Sequence, residues 1–362
     1  MGEKFCSSSR VCVTGGSGYI ASSLVKKLLS EGFTVHATLR NLEDKWKVDM
    51  LKSFEGAETR LKLFEADMLK PDEGLELAIQ GCDFVFHVAT PMLAPEDKNA
   101  AVDAAVEADL SIAKACIRSG TVKRLVYTAS ATAASPIKLT MDDGNGGQEF
   151  NDFIDETCWS TTATNILHSI PHENDFFRDY ITAKTLAEKG LLSSFGDSDM
   201  EVVTLACGLV GGDTLHPHLP GSLNLILARL TNNVFALNIM NFLEELLAKI
   251  PIVHIEDVVN AHIFCLSQAS MKGRFLCANG YVSNREIAEY YHNKYPEFSV
   301  RKEHLEGGRE HGTKWGSTLL LDKGFKYVHG WERVLDDSVS CAIARNVQLG
   351  AVSAEVKVES SL

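Results

Sequence analysis

The chain has 362 residues, of which 45% are hydrophobic and 23% are charged, and its formal net charge is −13 at pH 7. This length is sufficient for one large α/β domain, or for a domain with a smaller partner, around a sizeable core. The acidic balance argues against nucleic acid and anionic membrane surfaces as partners. No apolar run is long enough to span a bilayer, so we expect no membrane partner either.

The cysteines and the N-terminal residues predict a cytoplasmic protein. Residues 1–10 are polar and contain no apolar signal core, so we expect no targeting segment. The nine cysteines form an odd set without a Cys-x-x-Cys pair, and several lie in apolar, strand-like runs. Such thiols are more often buried and reduced than bridged.

Strand-like and helix-like patterns alternate through residues 11–206, which predicts a doubly wound parallel sheet of the Rossmann type with helices on both faces. The clearest helical patterns cover residues 98–119 and 180–194. The predicted strands cover residues 11–14, 34–39, 61–65, 84–88, 124–128 and 201–206.

The remaining chain predicts a smaller, mixed substrate-binding domain. We expect a nucleotide-binding domain over residues 10–206, with a long substrate-side loop at 136–177. We expect the substrate domain to combine residues 207–249, helical over 221–249, and 269–346, while residues 250–268 return to the first domain. The ends, 1–9 and 351–362, are predicted to be disordered.

A glycine-rich turn lies where the first strand meets the first helix. Residues 13–19 read Val-Thr-Gly-Gly-Ser-Gly-Tyr, and Ile20 and Ala21 continue into an amphipathic segment. In this context Gly15 permits a tight turn, Gly18 lets the backbone approach a pyrophosphate, and Ala21 keeps helix and strand close. The helix N-terminus then offers unpaired N–H groups to the phosphates. The turn predicts a dinucleotide site.

The residues after the second strand favour NADP over NAD. An NAD enzyme places an acidic residue there for the ribose 2′-hydroxyl, whereas this strand is followed by Arg40. An arginine binds a 2′-phosphate, and Lys47 on the next helix is placed to join it. Glu43 and Asp44 keep NAD open as an alternative, and both cations also fit a solvated surface.

The segment Tyr180-Ile-Thr-Ala-Lys184 places a phenol and an ammonium on one helix face. A nearby cation lowers the pKa of a tyrosine, which makes the phenol a useful proton donor at neutral pH. Lys184 is also placed to bind the nicotinamide ribose. Ser130, at the end of the fifth strand, supplies a hydroxyl that orients a substrate carbonyl oxygen. These residues predict carbonyl reduction with Tyr180 as the proton donor.

A second Tyr-x-x-x-Lys spacing occurs at Tyr290 and Lys294. Tyr180 follows the strand that carries Ser130 and precedes the sixth strand, so its helix lies against the nucleotide half of the sheet. Tyr290 falls in the presumed substrate domain, so we interpret it as a packing residue.

Over residues 10–346 the chain resembles the dihydroflavonol, anthocyanidin and vestitone reductase branch of the plant extended short-chain dehydrogenases/reductases. The resemblance rests on 13–19, on Gly-Cys-Asp-Phe-Val-Phe-His-Val-Ala-Thr-Pro at 81–91, and on Asp-Glu-Thr-Cys-Trp-Ser at 155–160. It also rests on Lys-Thr-Leu-Ala-Glu-Lys at 184–189, Val-His-Ile-Glu-Asp-Val-Val-Asn-Ala-His-Ile at 253–263, and Lys-Tyr-Pro-Glu-Phe at 294–298.

The resemblance implies roles for individual residues. Ser130, Tyr180 and Lys184 match the catalytic trio of the family, and Arg40 and Lys47 match its 2′-phosphate ligands. Asp67 and Met68 are expected to flank the adenine. The complete set of candidate cofactor-binding residues is Gly15, Gly16, Ser17, Gly18, Tyr19, Ile20, Arg40, Lys47, Asp67, Met68, Val88, Ala89, Thr90, Tyr180, Lys184 and Cys207.

Several positions depart from the pattern of the family and bear on the substrate. Ala129 and Ala183 replace common serines, and Cys207 stands where a proline normally packs near the nicotinamide. Ser135 takes the place of the asparagine with which dihydroflavonol reductases contact their substrate. The loop at 136–177 is longer than usual, and Trp159, Phe176 and Phe177 either stack on an aromatic substrate or anchor this loop.

Neither of two histidine-containing segments predicts a metal site. His254, Glu256, Asp257 and His262 occupy a strand-then-helix pattern that is structural in the family. The loop His216-Pro-His218 has no local partners for a metal, so we expect it to line the substrate entrance or to be solvated.

We therefore interpret the chain as a cytoplasmic, NADPH-dependent carbonyl reductase of plant specialised metabolism. Its expected substrate is a flavonoid-like or related polycyclic or aromatic ketone, and we expect a monomer or a weak homo-oligomer. The alternatives are a hydroxycinnamaldehyde or hydroxycinnamoyl-CoA reductase, a hydroxysteroid dehydrogenase, and a catalytically silent NADP-binding module.

Overall fold

The computed structural model describes residues 9–70, 73–90, 98–138, 149–161, 175–195, 198–306 and 312–350. The predicted disordered ends therefore lie outside the described residues, except for Ser9. Most of the long loop at 136–177 lies outside them as well.

Within these ranges, seven parallel strands form a central sheet in the order β10-β7-β5-β4-β1-β2-β3. β1 has β2 on one side and β4 on the other, so the strand order reverses beside it. The carboxyl ends of strands at such a reversal leave a crevice that binds ligands. The strands are β1 (Arg10–Val13), β2 (Thr34–Leu39), β3 (Leu61–Glu65), β4 (Phe84–His87), β5 (Arg124–Ser130), β7 (Glu201–Cys207) and β10 (Gly273–Cys277).

Helices cover both faces of the sheet, which confirms the predicted fold class. Successive residues of a strand point to opposite faces. Cys12 of β1 therefore belongs to one core, while Val11 and Val13 belong to the other. The helices that follow the first five strands are α1 (Tyr19–Ser30), α2 (Lys45–Lys52), α3 (Ala57–Arg60), α4 (Glu73–Ile79), α5 (Lys98–Ser119) and α6 (Asp175–Phe195).

A smaller mixed unit adjoins the carboxyl edge of the central sheet. Its sheet has the order β11-β9-β8, with β8 (Leu209–Gly211) parallel and β11 (Gly280–Val282) antiparallel to β9 (Ile250–His254). A second pair joins β6 (Phe153–Ile154) to β12 (Lys314–Trp315). The remaining helices are α7 (Gly221–Ile226), α8 (Ala228–Thr231), α9 (Val234–Leu247), α10 (Ile255–Ser267), α11 (Asn284–Lys294), α12 (Leu319–Asp322) and α13 (Trp331–Ala344).

The structure differs from the sequence expectation in three segments. β9, which was expected to return to the first domain with residues 250–268, lies between β8 and β11 in the smaller sheet. The helical stretch predicted for 221–249 is three helices. Leu227 separates the first two, and the second ends at Asn232, which is left-handed with φ +52°, before the Asn233 side chain caps the third by accepting the N–H of Ala236. β10, which the sequence assigned to the substrate domain, is an edge strand of the central sheet beside β7. Strands pair through backbone N–H and C=O groups, so a segment distant in sequence can add to the edge of the sheet whatever its side chains are.

A buried ion pair ties β10 to the rest of the molecule. The Arg274 guanidinium donates to the Glu188 carboxylate of α6 at 3.1 and 3.3 Å. It also donates to the carbonyls of Ala133 and Glu156 at 3.1 Å each. The guanidinium carbon lies 3.6 Å from the centre of the Trp159 ring, so this ring serves as an anchor for its loop.

We expect Arg274→Ala to lower the free energy of unfolding by about 3–5 kcal/mol, because it leaves the buried Glu188 carboxylate without its cation. Arg118→Ala is the control, since its ion pair with Glu76 is exposed and contributes at most about 1 kcal/mol. Urea unfolding of both variants measures the difference. Equal losses would contradict the structural role of Arg274.

Candidate active site

The glycine turn between β1 and α1 has the geometry of a phosphate-binding loop. Gly15 is left-handed with φ +62°, and its N–H donates to Thr38 Oγ1 at 3.1 Å. Gly18 is the N-cap of α1, and no side chain caps the helix there. The first N–H groups of α1 are therefore available to a ligand, and they lie at the positive end of the helix dipole.

A cleft of about 700 Å³ extends from this turn along the ends of β1, β2 and β4. Ala21 is buried beneath it, and Gly16 packs so closely that an added Cβ would lie 2.8 Å from the Cβ of Ala37. The predicted cofactor residues that line the cleft are Gly15, Ser17, Gly18, Tyr19, Ile20, Arg40, Lys47, Asp67, Met68, Val88, Ala89 and Thr90.

The end of the cleft beside α2 is cationic. Arg40 is exposed on its wall, and Lys47 lies next to Asp44 with 2.6 Å between ammonium and carboxylate. Asp44 also caps α2 by accepting the N–H of Lys47 at 3.3 Å. The hydrogen bond with Lys47 lowers the pKa of Asp44, so this carboxylate is already engaged as an anion.

His216 also lines this cleft, a location that the sequence reasoning missed. Its ring meets the Trp46 ring edge-on at 5.5 Å between centres, and its Nε2 is buried without a hydrogen-bond partner among the described residues. Burial lowers the pKa of His216. The loop after β8 carries His216 to the cleft, and no local sequence pattern shows where such a loop packs.

Ser130 and Tyr180 lie together at the end of β5. The Ser130 hydroxyl is 2.8 Å from Thr132 Oγ1. Burial raises the pKa of Tyr180, while a hydrogen bond with Ser130 opposes this rise. The structure thus differs from the expectation that Lys184 lowers the pKa of Tyr180.

The reason is the position of the Lys184 side chain, which is directed at β5. Its Nζ donates to the Tyr127 hydroxyl at 3.1 Å and to the Thr128 carbonyl at 2.9 Å. Burial lowers the pKa of Lys184, and the charges of Asp109 and Glu188 counteract this effect. Tyr127 and Asp109 were not among the predicted residues. The bond of Tyr127 with Lys184 depends on how α6 packs on the sheet, and its bond with Asp109 depends on how α5 packs there.

A second cavity of about 280 Å³ contains these side chains. Ser130, Tyr180, Lys184 and Cys207 line one side of it. It shares its Tyr19, Ile20, Val88 and Thr90 walls with the first cleft, so the two are continuous. Its other walls are mainly apolar and come from α6, α7, α9 and β9: Phe177, Leu225, Leu243, Leu247, Ile250 and Pro251.

The second Tyr-x-x-x-Lys pair lies elsewhere. Tyr290 and Lys294 both bond to Asp336 of α13, at 2.8 and 3.0 Å. Neither residue lines the two cavities described above. The pair thus joins α11 to α13, which agrees with its interpretation as a packing element.

Comparisons with known proteins show the family to which the chain belongs. The chain is 35% identical to a putative anthocyanidin reductase of Ginkgo biloba, over 91% of this chain and 93% of that one. It is 33% identical to vestitone reductase of Medicago sativa, over 92% of this chain and 96% of that one. The chain belongs to the plant anthocyanidin and vestitone reductase family. This is a family of oxidoreductases among the extended short-chain dehydrogenases/reductases.

Two further comparisons agree with this assignment. The crystal structure of the alfalfa vestitone reductase matches with a TM-score of 0.72 and 31% identity, covering 93% of this chain and 99% of that chain. Residues 7–138 match the model of the NmrA-like family.

The positions that depart from the family pattern have defined surroundings. Ser135 does not line the described cavity, and its hydroxyl donates to the Leu246 carbonyl at 2.7 Å. The Cys207 thiol has a raised pKa, chiefly through its hydrogen bond with Cys277 and then through burial. It therefore stays a neutral thiol. Phe177 lies 6.1 Å from Tyr180 between ring centres, whereas the side chain of Phe176 lies outside the described residues.

The side chains around His254 form hydrogen bonds with one another. Ligand-type atoms of His254, Glu256 and His329 lie within 4.8 Å of one another. His254 Nδ1 accepts the N–H of Glu256, and its Nε2 lies 3.2 Å from Asp337. Both ring nitrogens of His254 are thus used, so metal binding would have to displace either Asp337 or the N–H of Glu256. His262 is separate and bonds to Thr128 at 2.7 Å. The expectation of no metal stays a prediction.

None of the helices in the described ranges combines the length and the apolar composition that crossing a membrane requires.

We expect Gly15→Ala to weaken dinucleotide binding and to cost about 1–2 kcal/mol of stability from the left-handed backbone alone. The new Cβ would also lie 2.9 Å from that of Ala89. Gly324→Ala is the control, since Gly324 has φ +97° but open space around it. Thermal unfolding and fluorescence titration with the dinucleotide measure both effects. Unchanged binding in Gly15→Ala would contradict the assignment of the loop.

Proposed function

We propose that this protein is an NADPH-dependent carbonyl reductase that acts on a flavonoid-like or related polycyclic or aromatic ketone. One observation carries the proposal: Ser130, Tyr180 and Lys184 line an apolar cavity that is continuous with a dinucleotide cleft. A binding module has no need of a proton donor in a substrate-sized cavity.

The proposal extends to a cytoplasmic location and to a monomer or weak homo-oligomer. The free, buried cysteines of the described residues are compatible with a reducing compartment.

The cleft suits NADP better than NAD. Arg40 and Lys47 provide two cations where a 2′-phosphate would lie, and Asp44 is already engaged by Lys47. The α1 N-terminus and the Gly15–Gly18 turn would hold the pyrophosphate. Asp67 and Met68 would flank the adenine, and Val88, Ala89 and Thr90 would line the path toward the nicotinamide.

When bound, NADPH supplies the hydride for the reduction of the carbonyl carbon. Ser130 orients the carbonyl oxygen with its hydroxyl, and Tyr180 gives its phenolic proton to that oxygen as negative charge develops. The raised pKa of Tyr180 keeps the phenol protonated at neutral pH, which is the state that a reduction needs. Lys184, which lines the same cavity, would bind the ribose hydroxyls of the cofactor with its ammonium.

The substrate cavity favours a ligand with an apolar body. Its volume, about 280 Å³, is close to the lower end of small-molecule sites, which begin at about 300 Å³. Phe177 is positioned to stack on an aromatic ring. The relatives are named for reducing anthocyanidins and vestitone, and the related scaffold is proposed for this chain by similarity to them.

We expect Tyr180→Phe to lower kcat by about 10²–10⁴-fold while NADPH binding is retained, because the variant lacks only the proton donor. Tyr290→Phe is the matched control, since it alters the second Tyr-x-x-x-Lys pair and should leave kcat unchanged. NADPH consumption would be followed with dihydroflavonols, anthocyanidins, isoflavanones, hydroxycinnamaldehydes and keto-steroids.

The pattern of turnover separates the alternatives. Turnover of a flavonoid class that is lost in Tyr180→Phe supports the proposal. Turnover of hydroxycinnamaldehydes or keto-steroids alone would favour another reductase of the superfamily. NADPH binding without turnover of any compound would favour a silent binding module.

We expect Arg40→Ala to raise the KM for NADPH by about 10–100-fold, because a charge-assisted bond to phosphate contributes about 1.5–3 kcal/mol. The KM for NADH should change little, since NADH has no 2′-phosphate. Lys52→Ala, at the exposed end of α2, is the control for the loss of a surface charge. Equal changes for both cofactors in Arg40→Ala would contradict the 2′-phosphate assignment.

A further inference from the structure

A continuous chain of buried hydrogen bonds leads from Lys184 to the nucleotide-binding turn. Tyr127, which accepts from Lys184, donates its hydroxyl proton to Asp109 Oδ2 at 2.8 Å. The other carboxylate oxygen, Asp109 Oδ1, lies 2.9 Å from His87 Nε2. His87 Nδ1 lies 3.0 Å from the hydroxyl of Thr14, the residue before Gly15. The chain thus joins α6, β5, α5, β4 and the end of β1.

The other hydrogen bonds of these residues determine which atom is the donor in each bond of the series. Thr14 Oγ1 accepts the N–H groups of Val88 and Ala89 at 3.1 Å each, so its own proton is donated to His87 Nδ1. Because Nδ1 is an acceptor, a neutral His87 carries its proton on Nε2 and donates it to Asp109. Asp109 then accepts two hydrogen bonds and donates none, which is the pattern of an ionised carboxylate.

The charges around Lys184 leave Asp109 as its counterion. Lys184 and Asp109 are each 3% exposed, so their charges are shielded little by solvent. Glu188 also faces Lys184, but Arg274 bonds to both of its carboxylate oxygens. Cys207 faces Lys184 as a neutral thiol, and its pKa is raised. Tyr180 and Tyr127 complete the surroundings, and burial raises the pKa of both phenols, so they too are neutral.

We propose that Asp109 is the counterion and the positioning residue of Lys184, and that it acts through the Tyr127 hydroxyl. Its negative charge favours the protonated ammonium, and the chain of bonds holds Nζ beside the nucleotide end of the cavity. Through His87 and Thr14, the same carboxylate also orders the backbone that lines the cofactor cleft. The kinetic consequence rests on the proposed function, whereas the charge pairing does not.

The kinetic test is the pH dependence of kcat in Asp109→Asn, which keeps the shape of the side chain and removes its charge. Activity requires protonated Lys184 and protonated Tyr180, so it falls as pH rises through the lower of their two pKa values, and the Asp109 charge raises both. Loss of a nearby anion lowers both pKa values, so the alkaline limb should move to lower pH by about one unit or more. A purely structural role would lower kcat at every pH and leave the limb in place, and that result would overturn the proposal.

Two other variants sharpen this test. Asp257→Asn is the matched control, since Asp257 is equally buried and accepts the N–H groups of Val328 and His329, yet it lies outside both cavities. Its alkaline limb should not move. Tyr127→Phe keeps the charge of Asp109 but breaks the connection to Lys184, and it should move the limb in the same direction. An unmoved limb in Tyr127→Phe overturns the proposed route, even where Asp109→Asn does not fold.

A stability cycle tests the pairing without any substrate or cofactor. Asp109→Asn should lower Tm in the wild-type background, because it leaves the Lys184 ammonium buried without its anion. In a Lys184→Met background the same change should lower Tm clearly less, since no buried cation remains. Additive losses of Tm would overturn the pairing. An inactive wild-type protein with a non-additive cycle would overturn only the proposed function.

Discussion

The burial of the Lys184 ammonium between α6 and β5 is the constraint on which the site depends. Removing Lys184 from water is costly, and the cost is offset only by anions and acceptors held close to it. Asp109 supplies the charge, Tyr127 and the Thr128 carbonyl supply acceptors, and Glu188 adds a second carboxylate. Glu188 in turn is compensated by Arg274, which also binds the carbonyls of Glu156 and Ala133. The conditions that keep Lys184 charged thus also organise its surroundings.

The parallel sheet brings the residues at the carboxyl ends of its strands to one edge. The strand order reverses beside β1, so the ends of β1, β4, β5 and β7 meet at the crevice. Gly15 follows β1, Val88 follows β4, Ser130 ends β5 and Cys207 ends β7. The small unit of β8, β9 and β11 and helices α7 and α9 then close the substrate side with apolar residues. The strand ends of the central sheet therefore supply polar groups of the site, and the smaller unit supplies apolar walls that shape the substrate cavity.

Sequence patterns predicted the parts of the molecule that depend on local periodicity. The first six strands of the central sheet were predicted within two residues at each end, and α5 was predicted with its observed bounds. The glycine turn, Arg40, Lys47, Tyr180 and Lys184 line two continuous cavities, and their roles there stay predictions.

The features that sequence reasoning missed depend on contacts between distant segments. β10 joins the sheet through backbone pairing, which leaves no periodic signature that separates it from a strand of the smaller unit. Asp109 lies on α5, and its contacts with His87 and Tyr127 depend on how that helix packs. His216 reaches the cleft on an irregular loop. For the same reason, the raised pKa of Tyr180 follows from burial rather than from its spacing to Lys184.

The most direct test of the central claim is the transfer of deuterium from NADPH labelled at the transferable position of the nicotinamide. The purified protein would be incubated with the labelled cofactor and a ketone that it consumes, and the product would be analysed by mass spectrometry and NMR. The account predicts that the deuterium lies on the former carbonyl carbon of the product. Product without deuterium, or consumption of NADPH without a reduced product, would contradict it.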